Sequence, residues 1–358
     1  MVDAPSFPIT PLLPEVRRTL DASTRLVLEA PPGAGKTTQV PLALLDAAWL
    51  GGRKLVMLEP RRVAARAAAG FMARQLGEDV GGTVGYRIRF DSRISARTRI
   101  EVVTEGILTR MLQDDPSLEG VGALLFDEFH ERHLAADLGL ALALDVQAGL
   151  REDLRIVLMS ATLPGNLTQD FFEAPVVESL GRAWPVETRY LGYDPRLRME
   201  EQVAAAIRQA LREETGSILA FLPGVAEIQR TADRIGSVAE SVQIAPLYGA
   251  LSPQEQNAAI SPPAKGVRKV VLATDIAESA LTIEGVRVVV DSGFARVPRF
   301  DPQLGASRLE TVRLAVANAD QRRGRAGRTG PGVCYRLWRE GEMRGFAASP
   351  SPEIDNAD

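Results

Sequence analysis

Ala30-Pro31-Pro32-Gly33-Ala34-Gly35-Lys36-Thr37 decides the fold. Before it, Arg25 to Glu29 reads as a short buried strand; after it, a helix begins near Lys36. A strand running into a glycine-rich turn and then a helix is the architecture of a phosphate-binding loop. Successive backbone N–H groups form an anion nest, and the helix N-terminus adds its dipole. Gly33 and Gly35 permit the turn, Lys36 is placed to reach the β- and γ-phosphates, and the Thr37 hydroxyl to ligate Mg²⁺. Thr38, next on the helix, is read with them as a nucleotide-binding residue.

Further strands follow at Lys54–Glu59, Ile100–Val103, Val121–Phe126 and Arg155–Met159, each leading into polar residues and then a helical pattern. This alternation predicts an α/β protein built on a mostly parallel sheet flanked by helices, whose ligands bind at the carboxyl ends of the strands. At those ends stand Arg61 and Arg62, suited to backbone phosphates, then Thr104 and Glu105, then Asp127-Glu128-Phe129-His130. Adjacent carboxylates after a buried strand are costly unless they meet a cation. Asp127 therefore reads as the Mg²⁺-holding group, partly through water, and Glu128 as the residue that orients and deprotonates an attacking water. His130, Ser160 and Thr162 are candidates for coupling the nucleotide site to a neighbouring domain. His130 and His133, the only histidines, lack the cysteine partners of a zinc site.

The pattern fades between about residues 181 and 196, where Pro185, Gly192 and Pro195 intervene, and then restarts. Strands are predicted at Ser217–Leu222, Val242–Pro246, Lys269–Ala273 and Val286–Val290, without a second phosphate loop. The expected division is 1–187 and 188–358. In the second domain Thr274 and Ser279 lie at a strand end, and residues 296–313 read as either a projecting or an edge hairpin. Gln321-Arg322-Arg323-Gly324-Arg325-Ala326-Gly327-Arg328 places Arg325 and Arg328 three apart, on one face if helical, with glycines for close approach. Paired guanidinium groups suit a polyphosphate that gains charge in a transition state.

With 358 residues, 45% apolar and 25% charged, the chain is sized for two globular domains. Its formal net charge of -4 gives no compositional support for nucleic-acid binding, although arginines gather at residues 53–74 and 87–99. The start, Met1-Val-Asp-Ala-Pro5, has no basic region followed by an apolar run, so the expected location is cytoplasmic. Cys334, the single cysteine, reads as an inert core thiol.

In order and wording these blocks resemble the DEAH/RHA family of superfamily 2 helicases, most closely its bacterial HrpB-type branch. Asp127-Glu-Phe-His-Glu-Arg-His-Leu134 and Gly293-Phe-Ala-Arg-Val-Pro-Arg-Phe-Asp-Pro302 favour that branch. The resemblance implies two tandem RecA-like domains of a P-loop NTPase that hydrolyses ATP with Mg²⁺. It further implies 3′ to 5′ movement on single-stranded RNA, with Gln321, Arg325 and Arg328 acting on the γ-phosphate, the latter two as arginine fingers. By the same resemblance Arg61, Arg62, Thr104, Glu105, Thr274 and Ser279 border the RNA track, Phe71 falls where relatives hold the purine, and accessory domains follow the core. Three readings stay open: an RNA helicase, an ATPase that remodels RNA or DNA without unwinding, and an ATP-gated scaffold acting on a protein partner.

Overall fold

The computed structural model describes residues 7–161, 172–179, 184–236, 239–278, 283–301 and 306–356. Thr162 and Ser279 lie outside the described residues. The chain forms two compact units. One comprises residues 1–182 with 352–355, the other residues 183–351 with 356–358. The divide falls before residue 187 because the strand Val186–Tyr190 pairs with Gly332–Arg336 of the second unit.

In the first unit the strands are β1 (Arg25–Glu29), β2 (Lys54–Leu58), β3 (Val84–Ile88), β4 (Asp91–Arg93), β5 (Ile100–Val103), β6 (Val121–Phe126), β7 (Arg155–Ser160) and β8 (Val176–Glu178). Its helices are α1 (Leu13–Ala22), α2 (Lys36–Leu44), α3 (Arg62–Gln75), α4 (Glu105–Asp114) and α5 (Leu134–Gly149). Among the described residues they form one sheet in the order β4-β3-β5-β2-β6-β7-β1-β8, parallel except for the β3–β4 hairpin. Strands covered by helices on both faces are apolar throughout, and side chains alternate between two separate cores. Leu26, Leu28, Leu55, Met57, Leu125 and Met159 enter one; Val27, Val56, Leu58, Phe126, Ile156 and Leu158 enter the other. Five of the six alanines of α3 (Ala64, Ala65, Ala68, Ala69 and Ala73) are buried, as close helix-on-sheet packing requires, while Ala67 faces solvent.

The second unit contains β9 (Val186–Tyr190), β10 (Ser217–Phe221), β11 (Val242–Leu247), β12 (Arg268–Ala273), β13 (Val286–Asp291), β14 (Phe294–Asp301), β15 (Ala306–Arg313) and β16 (Gly332–Arg336). The helices are α6 (Met199–Glu213), α7 (Val225–Ile235), α8 (Pro253–Ile260) and α9 (Val316–Gly324). Its parallel sheet runs β11-β12-β10-β13-β16-β9. Among the described residues β14 and β15 pair only with each other, so these two strands form a separate antiparallel pair rather than an edge of the main sheet. Cys334 is buried, and burial pushes its thiol up to about 12, which fits an inert core residue.

Candidate nucleotide and nucleic-acid sites

Strand order determines which loops meet. β6, β7 and β1 are neighbours in register, with Phe126 opposite Leu158 and Ser160 opposite Glu29. Their carboxyl ends therefore bring together Asp127, Ser160 and the loop from Ala30, whose N–H donates to Ser160 O at 2.9 Å. β2 and β5 continue the same edge on the other side of β6, carrying Glu59 to Arg62 and Thr104. Within the first unit, the residues read as holding nucleotide at the ends of β1 and β6 and those read as holding nucleic acid at the ends of β2 and β5 thus occupy adjoining parts of one sheet edge.

The loop has the backbone its sequence demands. Gly33 and Gly35 adopt φ of 83° and 95°, conformations that favour glycine, and Gly35 caps α2. A β-carbon at Gly35 would also lie 2.9 Å from the Phe7 side chain. Phe7 meets Phe71 edge-on, with ring centroids 6.1 Å apart. This aromatic pair beside the loop had no periodic signal near residue 7 to announce it.

Lys36 is buried, and its Nζ lies 3.5 Å from Glu128 Oε1. Asp127 Oδ1 accepts from the Glu128 N–H at 2.9 Å, whereas its buried Oδ2 has no hydrogen-bond partner. Burial, followed by the neighbouring Glu128 charge, raises the Asp127 carboxyl to about 6; Lys36 and the Thr37 hydroxyl oppose the rise. Glu128 itself takes φ 51°, a sparsely populated conformation for a residue with a side chain and one that accumulates at functional sites. A buried carboxylate oxygen without a partner, beside a threonine hydroxyl at a phosphate loop, is the oxygen donor set that suits Mg²⁺. Among the described residues no three His, Cys, Asp or Glu side chains could enclose a metal, so phosphate oxygens and water would complete its shell. ATP and Mg²⁺ fit the residues present.

Phe129 stands where the family name implies alanine. It is buried in the core against Phe126, with centroids 6.1 Å apart, and leaves both carboxylates in place. His130 is also nearly enclosed, and burial lowers its pKa, leaving a neutral ring. Its Nδ1 accepts from the Ala161 N–H at 3.3 Å, which ties the Asp127 loop to the segment after β7. With Nδ1 as acceptor the proton sits on Nε2, so the 3.5 Å approach of Nδ1 to Glu128 Oε2 is not a hydrogen bond.

At the β2 and β5 ends, Arg61 precedes α3 as its N-cap and donates to Glu131 Oε1 at 2.6 Å, while Arg62 is exposed. Glu131 offsets the mismatch between Arg61 and the helix dipole. Thr104 is the N-cap of α4. His133 bridges two carboxylates, with Nε2 2.9 Å from Glu131 Oε2 and Nδ1 3.3 Å from Glu105 Oε1. Burial raises the Glu105 pKa, and His133 counters it. His133 is therefore part of the strand-end network rather than free surface. Sequence reading also missed Glu59, which is fully buried with neither carboxylate oxygen hydrogen-bonded. Burial, then Asp127 and Glu128, hold its pKa well above the usual range. Phe90, at the β3–β4 turn, is 90% exposed with φ 68°, and the Arg89 guanidinium lies 4.8 Å from its ring centroid. An aromatic among closely spaced arginines was the available signal.

In the second unit α9 ends at Gly324, and Arg325–Gly327 forms a 3₁₀ turn. Arg325 and Arg328 are thus not on an α-helical face; three residues per 3₁₀ turn still set them in line. Gly327 does permit close approach, since a β-carbon there would lie 2.7 Å from Trp184 O, but Gly324 has open space around it. Gln321 lies in the last turn of α9, and Arg325 is buried with Nε donating to Glu278 O at 2.9 Å. Thr274 directly follows β12 and is partly exposed.

A phosphate loop with adjoining acidic residues on one parallel sheet, and an arginine-rich turn on a second, are the features of a two-domain P-loop helicase-type core. Comparison agrees: residues 14–171 match the DEAD/DEAH box helicase family and residues 201–330 the helicase conserved C-terminal domain. The chain belongs to the DEAD/DEAH box helicases. It is 51% identical over 355 residues to the ATP-dependent RNA helicase HrpB of Escherichia coli (strain K12), covering 99% of this chain and 44% of that protein. It is 39% identical to a probable ATP-dependent RNA helicase, DHX34, of Mus musculus, over 98% of this chain and 31% of the relative. The crystal structure of the Escherichia coli DEAH/RHA helicase HrpB superposes with a TM-score of 0.93 at 51% identity, covering 99% of this chain and 45% of that one. The chain spans less than half the length of the curated relatives it matches.

Proposed function

We propose that this chain is the motor of an ATP-dependent RNA helicase, coupling ATP hydrolysis to 3′ to 5′ movement along single-stranded nucleic acid. The observation that carries the reading is the shared sheet edge: Lys36, Thr37, Asp127 and Glu128 at the ends of β1 and β6, with Arg61 and Thr104 at the adjoining ends of β2 and β5. Hydrolysis in one half of that edge can alter grip in the other without a long path between them.

In this reading the loop amides and Lys36 hold the β- and γ-phosphates, and Thr37 and Asp127 hold Mg²⁺ partly through water. An ion held there would supply positive charge to offset the charge that develops on the phosphate. Drawing Lys36 toward phosphate removes the cation now 3.5 Å from Glu128, which makes that carboxylate a stronger base for the attacking water. Gln321, Arg325 and Arg328 act on the γ-phosphate. Phe7 and Phe71 flank the base, and His130, with Ser160 and Thr162, passes the nucleotide state onward.

On the nucleic-acid side Arg61, Arg62, Thr104, Glu105, Thr274 and Ser279 border the strand, and Phe90 with Arg89 offers a stacking surface for a base. Contacts of these kinds go to phosphate, sugar and base faces, so sequence preference is slight and affinity falls steeply with salt. No described helix is long and apolar enough to cross a membrane, and we place the protein in the cytoplasm. The test is steady-state ATP hydrolysis with and without single-stranded RNA, beside Glu128→Gln. Stimulation that disappears in the variant supports the reading. Hydrolysis indifferent to RNA and DNA refutes it in favour of a protein-directed scaffold, and stimulation without duplex displacement reduces it to a remodelling ATPase.

A further inference from the structure

The second unit holds a buried ionic junction for which the roles above find no use. Arg322, in the last turn of α9, is completely buried. Its Nε donates to Glu278 Oε2 at 2.8 Å, and its Nη1 donates to Asp291 Oδ1 at 2.9 Å and to Phe294 O at 3.2 Å. The guanidinium lies over the Phe221 ring, 4.7 Å from its centroid. Asn318, one turn earlier on α9, donates to the other carboxylate oxygen of Glu278. Arg325, three residues after Arg322, donates to the Glu278 main-chain oxygen at 2.9 Å.

Glu278 is therefore held twice by the same short stretch of chain, through its side chain by Asn318 and Arg322 and through its backbone by Arg325. Glu278 also ends the 3₁₀ turn Asp275–Ala277 that Thr274 begins. A buried ion pair seldom stabilises a fold more than apolar side chains of equal volume would. What it adds is geometry: a planar fork with fixed donor directions, which apolar contact cannot supply. Asp291, whose Oδ1 also accepts from the Gly293 N–H at 2.9 Å, anchors the junction to the end of β13.

We propose that Arg322 is a positioning residue that joins Thr274–Glu278 to Arg325 as one moving piece, so that nucleic acid gripped at Thr274 sets the guanidinium that meets the γ-phosphate. The inference rests on the reading given under Proposed function. Displacing Thr274 shifts Glu278, whose carboxylate and carbonyl then carry the end of α9 and the Arg325 side chain with them. The stimulation of hydrolysis by RNA, rather than hydrolysis itself, is the quantity this junction controls.

The experiment compares ATP hydrolysis with and without single-stranded polyuridylate, the KM for ATP and the melting temperature across four variants. Glu278→Gln, Asn318→Ala and Arg322→Lys weaken the junction to different degrees, and Asn318→Ala removes one bond without stranding a buried charge. Lys269→Met is the control, because Lys269 is also buried yet its Nζ donates to the carbonyls of Ala258, Ala259 and Ser261 at the end of α8, away from the junction. The stimulated-to-basal ratio is expected to fall by roughly five-fold or more in the three junction variants, the low end of usual coupling factors. The loss should lie in kcat rather than KM, while Lys269→Met lowers the melting temperature and keeps the ratio. Junction variants whose stimulated and basal rates fall in parallel, as in the control, would show a purely structural role and overturn the inference alone. A wild-type protein that polyuridylate does not stimulate would sink the nucleic-acid reading and this inference with it.

Discussion

Two buried charge clusters, one in each unit, are built on opposite terms. In the second unit the guanidinium groups of Arg322 and Arg325 meet Glu278 and Asp291, and Arg322 shares its donors between both carboxylates and a carbonyl. In the first, Glu59, Asp127 and Glu128 crowd together, with the buried Lys36 3.5 Å from Glu128 and Arg61 the cation acting on Glu59; neither Glu59 oxygen has a hydrogen bond, whereas each carboxylate of the second cluster accepts at least one. The balanced cluster is a joint. The unbalanced one is the proposed site, because excess buried negative charge is costly unless a cation arrives to offset it. Burial depth alone would not have separated them.

The largest expected effect lies in the unbalanced cluster. Glu128→Gln should lower steady-state hydrolysis by about 10³-fold, the upper range for losing one group that acts on the transition state, with little change in melting temperature. A variant that keeps a tenth of the activity would show that another residue is the base, and would blur the contrast between the clusters. In the balanced cluster, removing the guanidinium outright should act on stability in addition to the coupling tested above. Arg322→Met strands two buried carboxylates and should cost about 3–5 kcal/mol, the usual consequence of removing one partner of a buried pair. Thermal melting checks this, and a loss under about 1 kcal/mol would mean that the pair is solvated.

A third substitution has the opposite sign. Glu59 has a raised pKa, so the fold binds its proton more tightly than the unfolded chain does, and stability is lost as pH rises from the ordinary carboxylate range through the folded value. Asp127 adds the same trend between its ordinary 3.8 and about 6. Glu59→Gln, neutral and of the same shape, should therefore stabilise the nucleotide-free protein at pH 7.5 by about 1–3 kcal/mol, the scale of an unsatisfied buried group. The gain should shrink as the pH approaches 4. Melting curves at several pH values read this directly, and destabilisation at pH 7.5 would mean that Glu59 has a partner worth more than its burial costs. The smallest effect is expected at the exposed turn. Phe90→Ala should weaken single-stranded RNA binding by about 1–3 kcal/mol, the usual worth of one stacked base, and leave stability unchanged. Fluorescence anisotropy measures it, and unchanged affinity would remove Phe90 from the track.

The strand-loop-helix around Lys36 was readable because it is local: each residue meets its partners within a few positions, and φ near 90° at Gly35 follows from glycine there. Alternating apolar strands predicted both parallel sheets for the same reason. The β3–β4 hairpin, β8 and β9 escaped notice, since Asp91–Arg93 and Val176–Glu178 are too short for a period to emerge. Within the site, Asp127 and Glu128 were legible as acids following a buried strand. Glu59 was not, because its cost depends on β2 lying beside β6.

The sequence by itself determined the local units on which the proposed chemistry rests: a glycine-rich phosphate-type loop, a carboxylate pair after a buried strand, and an arginine-rich turn, each encoded by residues a few positions apart. Tertiary structure alone decided which charges are balanced. Arg322 is 44 residues from Glu278 and 31 from Asp291, and whether an arginine is a joint or a finger depends on what the sheet order places against it. Local spacing fixes the geometry of a turn, but electrostatic balance is a property of everything packed within a few ångströms, which the chain reaches only by folding.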